Sequence, residues 1–239
     1  MKTIGLLGGM SWESTVTYYQ FLNRMAREKL GGLHSAQCLI WSFDFAEIEA
    51  AQASGDWDRA TDLMVNAARQ LERGGADCLV ICTNTMHKMA GDVKASVNIP
   101  LLHIADATAP SITENGCKTP LLLATGYTME QDFYKGHLKD IHGIDVRVPD
   151  ADDRTEIHRI IYEELCKGEI WADSKQTLLE IVAKEHEAGA DGVIFGCTEI
   201  GLLVSADDFN IPSFDTTALH ARAALKFALE TGCSCEFQV

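Results

Sequence analysis

Proline, basic residues and long apolar runs are all scarce in this chain of 239 residues. Five prolines, a charged fraction of 23% and a hydrophobic fraction of 46% exclude disordered and collagen-like chains and predict a globular protein. The 35 Asp and Glu residues outnumber the 20 Lys and Arg residues, for a net charge of −15, and no basic stripe interrupts this excess. Nucleic-acid binding therefore lacks an electrostatic basis, and we expect no nucleic-acid partner.

Targeting and membrane segments are also missing. An apolar stretch follows Lys2, but Trp12 and Glu13 end it before a cleavage-site pattern appears, so it is predicted to be a buried strand. No uninterrupted apolar run reaches membrane-spanning length, and we expect no membrane partner. The eight cysteines lack the compact spacing of a disulfide framework, which predicts reduced thiols and a cytoplasmic protein.

The sequence shows no clear metal-ligand spacing. Zinc-finger spacing is absent around the closest cysteine pairs, Cys78 with Cys82 and Cys233 with Cys235. His87 and His103 lie near predicted strand ends, where histidines are more typically hydrogen bonded than bound to a metal. We therefore predict no metal site.

The chain contains an internal repeat. Residues 75–84 (GADCLVICTN) match residues 189–198 (GADGVIFGCT) at an offset of 114 positions. Two further pairs keep the same order at offsets of 116 and 112, namely residues 6–9 with 122–125 and residues 98–100 with 210–212. Three matches in one order predict a duplicated chain with equivalent halves.

Short apolar strands alternate with helical patterns in each half. The predicted strands are residues 4–7, 38–42, 78–82, 121–123, 145–148 and 192–195. This alternation predicts an α/β fold with two pseudo-symmetric doubly wound domains, each built on a parallel sheet. No linker rich in Pro, Gly or Ser separates the halves, so we expect them to share a cleft at the carboxyl ends of the strands.

Polar residues follow the equivalent strands of the repeat. They are Thr83, Asn84 and Thr85 in the first half, and Cys197, Thr198 and Glu199 in the second. If the halves are related by a pseudo-twofold axis, Thr83 and Cys197 lie on opposite sides of one ligand. Cys197 is then the best candidate for a nucleophile or base, because nearby donors or a helix N-terminus can lower the pKa of a thiol.

Structural roles remain open for several of these residues. Cys197 also fits a small buried residue, which is what free cysteine most often is. Cys82 aligns with Gly196 in the repeat, and strand alternation turns it away from the cleft, so we predict that it packs in the core. Lys167 precedes Gly168 at a predicted helix end, which by itself indicates a helix-terminating role.

The turns after the first strand of each half allow two interpretations. Residues 8–11 and 125–128 can each bind a carboxylate through backbone N–H groups. They equally fit simple turn and helix N-cap chemistry. Neither turn has the spacing of a dinucleotide-binding fingerprint.

Three motifs resemble the cofactor-independent aspartate/glutamate racemase family. They are residues 5–11 (GLLGGMS), 83–87 (TNTMH) and 196–199 (GCTE), and the similarity covers essentially the whole chain. The resemblance implies a homodimer without a cofactor that inverts the α-carbon of a small acidic amino acid by means of two cysteines on opposite faces. It also implies a first domain of residues 1–103 with 208–239 and a second of residues 104–207.

The resemblance assigns roles to individual residues. Cys197 matches the second catalytic cysteine, which acts on the L-enantiomer, and Thr83 stands where the first cysteine belongs. The chain is thus similar to an L-aspartate/glutamate-specific racemase with threonine at that position. In addition to Thr83, the predicted substrate contacts are Met10, Gln52, Asn84, Thr85, Thr125, Thr128, Lys167, Thr198 and Glu199.

Two other functions stay open at this point. A one-cysteine arrangement in the same superfamily serves decarboxylation of malonate-type substrates, where a thiol protonates the carbanion. Loss of one base also permits a degenerate racemase that serves as an acidic amino-acid-binding module.

Overall fold

The computed structural model describes residues 1–230. Cys233, Cys235 and the last part of the predicted first domain, residues 231–239, lie outside the described residues. The strands are β1 (Ile4–Gly8), β2 (Cys38–Ser42), β3 (Cys78–Ile81), β4 (Leu101–Leu102), β5 (Leu121–Leu123), β6 (Val193–Phe195) and β7 (Ser213–Asp215). Across this range, no helix is both long enough and apolar enough to cross a membrane.

Helices connect these strands. They are α1 (Trp12–Leu30), α2 (Phe45–Ser54), α3 (Trp57–Arg73), α4 (Ala90–Ser96), α5 (Ile104–Glu114), α6 (Gly126–Glu130), α7 (Asp132–His142), α8 (Ala151–Arg159), α9 (Ala172–Glu187), α10 (Ile200–Leu203) and α11 (Thr216–Leu229). Short 3₁₀ turns cover Thr85–Met89, Leu165–Lys167 and Ala206–Asp208, and a π-helical turn covers Ile160–Glu164.

The first sheet is parallel and has the order β2-β1-β3-β4. Alternate residues of its central strands enter different cores, because successive side chains of a strand face opposite ways. In β1, Leu6 packs with Tyr18 and Leu22 of α1, whereas Leu7 packs with Met64 of α3. Helices thus cover both faces, as the prediction of a doubly wound domain requires.

The second sheet is also parallel, with the order β5-β6-β7. Its core joins residues of the strands with residues of α5, α7 and α9, such as Ile194, Ile112, Leu138 and Leu178. The α/β class and the presence of two parallel sheets are confirmed. Each repeat places its strand, β3 or β6, inside a sheet rather than at an edge.

Equivalent glycines precede these repeated strands. Gly75 has φ of 94° and Gly189 has φ of 106°, both in the left-handed region that favours glycine. The helix that ends at each glycine, α3 or α9, leads directly into β3 or β6. The sequence repeat is therefore a repeat of helix end, turn and strand.

The predicted strand 145–148 is wrong. This segment forms only an isolated parallel bridge between Arg147 and Leu121. Pro149 follows directly and has no N–H to extend a ladder, and Asp150 already caps α8. In the first sheet, the edge strand β2 pairs with β1. The Arg147 bridge pairs with β5 in the equivalent place, so it is a shortened counterpart of β2 in the second half.

Helix α11 returns the chain to the first sheet. Its residues Ala221, Ala224 and Leu225 pack with Tyr18 and Leu22 of α1. The preceding β7 pairs with β6, so residues 213–215 belong to the second sheet. The boundaries at 103/104 and 207/208 stay predictions.

Candidate active site

A small enclosed pocket lies where the carboxyl ends of the two sheets face each other. Its lining residues are Met10, Phe45, Gln52, Thr83, Asn84, Thr85, Thr125, Ile161, Tyr162, Cys166, Gly196, Cys197 and Glu199. The pocket volume is about 20 Å³, which is room for roughly one water molecule. The structure therefore shows the cleft in a closed arrangement.

Cys197 follows β6 and is 7% exposed. Its thiol donates a hydrogen bond to Glu199 Oε2 at 2.9 Å. Burial raises the pKa of this thiol well above its usual value, and the nearby Glu199 carboxylate raises it further. In this closed arrangement the backbone N–H of Glu199 lowers the pKa of Cys197, but burial and the Glu199 carboxylate outweigh it.

Glu199 lies at the centre of a hydrogen-bond network. Its Oε1 accepts hydrogen bonds from Ser11 Oγ at 2.7 Å and from Ser14 Oγ at 2.5 Å. Its Oε2 accepts from Thr198 Oγ1 at 2.7 Å as well as from Cys197. Ser11 caps α1, and the partial positive charge at that helix N-terminus favours an anionic carboxylate there.

The loop after β3 brings two further predicted residues to the pocket. Thr83 is half-buried, and its carbonyl accepts a hydrogen bond from His87 Nδ1 at 2.8 Å. Asn84 is 2% exposed, and its amide donates to Thr216 Oγ1 at 3.1 Å. Within residues 1–230, the side-chain oxygen of Asn84 has no hydrogen-bond partner. The pocket thus contains a free acceptor on the Thr83 side.

Hydroxyl groups from the two halves meet beside the pocket. Thr85 Oγ1 lies 3.0 Å from Thr125 Oγ1 and 3.3 Å from Thr128 Oγ1. Thr125 and Thr85 line the pocket, whereas Thr128 is fully buried behind them. Thr125 is also the N-cap of α6. It therefore caps a helix and lines the pocket, so both interpretations of its turn agree with its position.

Aromatic contacts close the pocket. The Tyr162 hydroxyl donates to Gln52 Oε1 at 2.9 Å, and its ring stacks on Phe45 with the centroids 6.5 Å apart. Met10 lines the pocket from the turn after β1. Tyr162 and Phe45 were not predicted from the sequence, because neither follows a strand of the repeat.

In the turn at Leu165–Lys167, the two neighbouring side chains of Cys166 and Lys167 have different surroundings. Cys166 lines the pocket, and burial together with the Glu199 charge raises the pKa of its thiol. Lys167 is exposed and does not line the pocket, and Gly168 ends the turn with φ of 75°. The binding role of Lys167 stays a prediction.

Cys82 and His87 have structural positions. Cys82 is 1% exposed and lies in the core between the first sheet and α1. Both ring nitrogens of His87 are hydrogen bonded, Nδ1 to the Thr83 carbonyl and Nε2 to the Ile104 N–H at 3.1 Å. The predictions for these two residues are confirmed, and Cys197 is the thiol that follows a repeated strand into the pocket.

Comparison with known proteins gives a consistent family. The model of the Asp/Glu/hydantoin racemase family matches residues 7–224. A crystal structure from Yersinia pestis, provisionally described as an Asp/Glu racemase, is 53% identical with a TM-score of 0.89 and covers 96% of this chain and 100% of its own. An aspartate racemase homologue from Pyrococcus horikoshii is 35% identical with a TM-score of 0.82, covering 95% of this chain and 99% of its own.

A further relative extends the comparison. The broad specificity amino-acid racemase of Bacillus subtilis is 24% identical over 177 residues, which are 71% of this chain and 73% of that protein. These relatives are described as racemases or racemase homologues. They favour racemisation over decarboxylation of malonate-type substrates and over simple binding.

Proposed function

This chain belongs to the Asp/Glu/hydantoin racemase family, which supports an amino-acid racemase activity, and we propose that it acts on the α-carbon of L-aspartate or L-glutamate through Cys197 without a cofactor. One observation carries this proposal. Cys197 and Thr83 follow strands of the two sheets and line one enclosed pocket. A substrate α-carbon between them has a thiol on one face and a hydroxyl on the other.

The pocket offers partners for the groups of an amino acid. The unpaired Asn84 oxygen is an acceptor for an α-ammonium group, because a buried acceptor without a partner is costly. The hydroxyls of Thr85 and Thr125 are donors for a carboxylate. Lys167, one residue after the pocket-lining Cys166, remains the proposed ligand of the distal carboxylate.

Proton transfer starts at the Cys197–Glu199 pair. We propose that the substrate ammonium, on entering beside Cys197, stabilises the thiolate, so that the thiol proton passes to Glu199 Oε2, which is 2.9 Å away. The thiolate then removes the α-proton of the L-substrate and becomes a thiol again. Glu199 is then the proton acceptor of Cys197, and its predicted contact with the substrate stays a prediction.

Inversion requires a proton from the opposite face. The Thr83 hydroxyl, or a water molecule that it holds, delivers this proton to the carbanion. When the product leaves, Glu199 releases its proton to water. A proton from water then returns to the Thr83 hydroxyl, or to the water molecule that it holds. Because a neutral hydroxyl is a weak base, abstraction from a D-substrate by Thr83 is expected to be the slowest step.

Chiral chromatography tests the function. Purified protein incubated with L-aspartate or L-glutamate should form the D-enantiomer, and dialysis against a chelator should leave the rate unchanged. Cys197→Ala should abolish the product, whereas Cys82→Ala, a thiol in the core, should retain most of it. A lysine-bound cofactor absorbance, or product from folded Cys197→Ala, would overturn the proposal. So would a chelator-sensitive rate in the variant Asp106→Asn, a change outside the pocket.

Assembly and location are further parts of the proposal. Three apolar residues, Trp12, Val16 and Tyr19, are exposed on one face of α1. An apolar patch of this kind is typical of a protein–protein interface, and we propose that it contacts a second copy of the chain. The described cysteines are all free, in keeping with the predicted cytoplasmic location.

A further inference from the structure

A cluster of imidazole and carboxylate groups lies outside the active site, at the junction of β4, α5 and α7. The ligand atoms of His103, Asp106 and His137 all lie within 4.8 Å of one another. Asp106 Oδ1 is 2.6 Å from His137 Nε2 and 2.8 Å from His142 Nε2. One carboxylate oxygen therefore bridges two imidazole rings, with a third ring beside them.

The fold brings the rings together, and one of the two stacked rings must turn about its side-chain bonds for both to bind one metal in the ring plane. The His103 and His137 rings stack with centroids 3.9 Å apart and planes within 4° of parallel. His103 is the N-cap of α5 and Asp106 lies in its first turn, while His137 and His142 lie in the second half of α7. Two helices that meet at this junction thus bring together side chains that are 30 or more positions apart in the sequence.

The cluster is open to solvent. His103, Asp106 and His137 border a surface groove of about 340 Å³. The side chains of His137, His142 and Asp106 are 20%, 25% and 49% exposed. An ion can reach these atoms without unfolding, and the net charge of −15 raises the local concentration of cations around the molecule.

We propose that this cluster is a binding site for a divalent transition-metal ion such as Zn²⁺ or Co²⁺. Imidazole nitrogens and a carboxylate oxygen are ligands that these ions prefer. The hard ions Mg²⁺ and Ca²⁺ prefer sites made of oxygen ligands, which this cluster does not supply. The site is separate from the racemase pocket, and it joins α7 to residue 103, which lies between β4 and α5.

Binding requires a change in where the protons lie. In the metal-free arrangement, His137 and His142 donate Nε2–H groups to Asp106. When Nε2 binds the metal, the proton of each neutral ring lies on Nδ1, and the metal replaces the hydrogen as the partner of the carboxylate. His103 Nδ1 accepts the Ala105 N–H at 3.2 Å, so coordination through His103 Nε2 gives up this long cap bond.

The position of the site gives it a structural consequence. Residue 103 follows β4 of the first sheet, whereas α7 packs on the second sheet. The His103 ring contacts His87 at 4.6 Å between centroids, and His87 in turn binds the Thr83 carbonyl. A bound metal therefore strengthens the connection between the sheets on the outer side of the Thr83 loop.

The test uses the full chain without an affinity tag and titrates it with Zn²⁺ in a calorimeter and with Co²⁺ in a spectrophotometer. One equivalent should bind. His137→Gln and Asp106→Asn should each weaken binding at least tenfold, because each removes a ligand. The matched control is His34→Gln, which changes an exposed histidine of the α1–β2 loop and should leave the affinity unchanged.

Thermal unfolding supplies a second readout that does not depend on racemase activity. Metal at about a hundredfold excess over its Kd should raise the Tm of the parent by roughly 5–10 °C, and this shift should vanish in folded His137→Gln. Equal affinity in parent and His137→Gln would overturn the proposal. So would a Co²⁺ spectrum with a thiolate charge-transfer band, because that band would place the metal on cysteine.

Discussion

Thr83 is the residue at which this chain departs most clearly from a symmetric two-base site. It lines the same pocket as Cys197, at the equivalent strand end of the other sheet. In the proposed mechanism, a hydroxyl there makes the two faces of a bound substrate chemically unequal. The enantiomers should therefore react at different rates.

Replacing Thr83 by Cys should restore a thiol on each face. We expect Thr83→Cys to raise turnover of D-aspartate or D-glutamate by about 10-fold or more, because a positioned base typically contributes 10²–10⁴-fold. Initial rates from both enantiomers, for parent and variant, measure the effect. A parent that already turns over both hands equally, or a variant that keeps L-side exchange without any gain on the D-side, would contradict it.

His220 makes the stability of the protein depend on pH. It is fully buried, with Nδ1 2.9 Å from the Tyr18 hydroxyl and Nε2 2.8 Å from the Leu102 carbonyl. Burial lowers its pKa from 6.5 to about 4. Between these values the unfolded chain binds a proton that the folded chain does not bind, so stability falls as the pH drops from 6.5 towards 4.

The expected contribution of His220 is about 2 kcal/mol between pH 7.5 and pH 5, from roughly 1.5 pH units at 1.36 kcal/mol each. Urea unfolding at the two pH values measures it. His220→Gln should be less stable than the parent at pH 7.5 but should lose about 2 kcal/mol less on acidification. The same loss in both proteins would show that His220 does not titrate in this way.

The sequence predicted the main residues of the pocket but not their surroundings. The repeat register placed Thr83 and Cys197 at one site because equivalent strands of facing sheets end there. Ser14, Tyr162 and Cys166 were missed, since they depend on how helix ends from different parts of the chain meet. The raised pKa of Cys197 was missed for the same reason, because it follows from burial beside Glu199 in the folded protein.

At the scale of elements, the glycine turn after β1 fixes the position of the loop that carries Met10 and Ser11. Gly9 has φ of +80°, and a Cβ atom there would lie 2.4 Å from the Phe43 nitrogen and 2.5 Å from the Phe43 oxygen. This close approach holds the turn against the segment after β2. The pocket residue Met10 and the Glu199 partner Ser11 follow directly.

Gly9→Ala should therefore destabilise the protein and disturb the pocket. Left-handed backbone alone costs an L-residue about 1–2 kcal/mol, and the clash with backbone atoms should add roughly 1–3 kcal/mol more. The control is Gly143→Ala, because Gly143 has φ of +68° but nothing within 4 Å of its Cβ position. Urea unfolding should show the larger loss for Gly9→Ala; equal losses would mean that the close approach is unimportant.

Strand prediction succeeded where apolar runs are uninterrupted and failed where they are short. β1, β2, β3, β5 and β6 were found because each is an apolar run next to a glycine or polar turn. β4 is only two residues long, and β7 has a single apolar residue, Phe214, between Ser213 and Asp215, so neither forms an apolar run. The predicted strand 145–148 has the right composition, but Pro149 prevents a ladder from forming.

At the scale of the whole molecule, the pocket must open to bind a substrate, whereas the exposed face of α1 must be covered in the proposed homodimer. A pocket of about 20 Å³ must open to admit an amino acid, so the contacts that close it have to break. Trp12 is 64% exposed on the outer face of α1, and in the proposed homodimer this face is covered. The sequence could predict the shared cleft but not its closure, which depends on the Tyr162, Phe45 and Gln52 contacts.

Sedimentation measures the proposed assembly. The parent should behave as a dimer, and Trp12→Ser should shift it towards monomer, because the change removes a large apolar contact from the interface. Ile141→Ser is the control, since Ile141 is 62% exposed on α7, a helix that packs on the second sheet. A parent that is monomeric, or a Trp12→Ser protein that stays dimeric, would contradict the proposed interface.

The most direct test of Cys197 as the base is exchange of the substrate α-proton in heavy water, followed by proton NMR. The parent and Cys82→Ala should both replace the α-proton of L-aspartate or L-glutamate, faster than the D-enantiomer accumulates, because exchange needs only Cys197. Folded Cys197→Ala should lose exchange by at least about 10²-fold. Exchange that persists in Cys197→Ala, or falls equally in Cys82→Ala, would contradict the assignment.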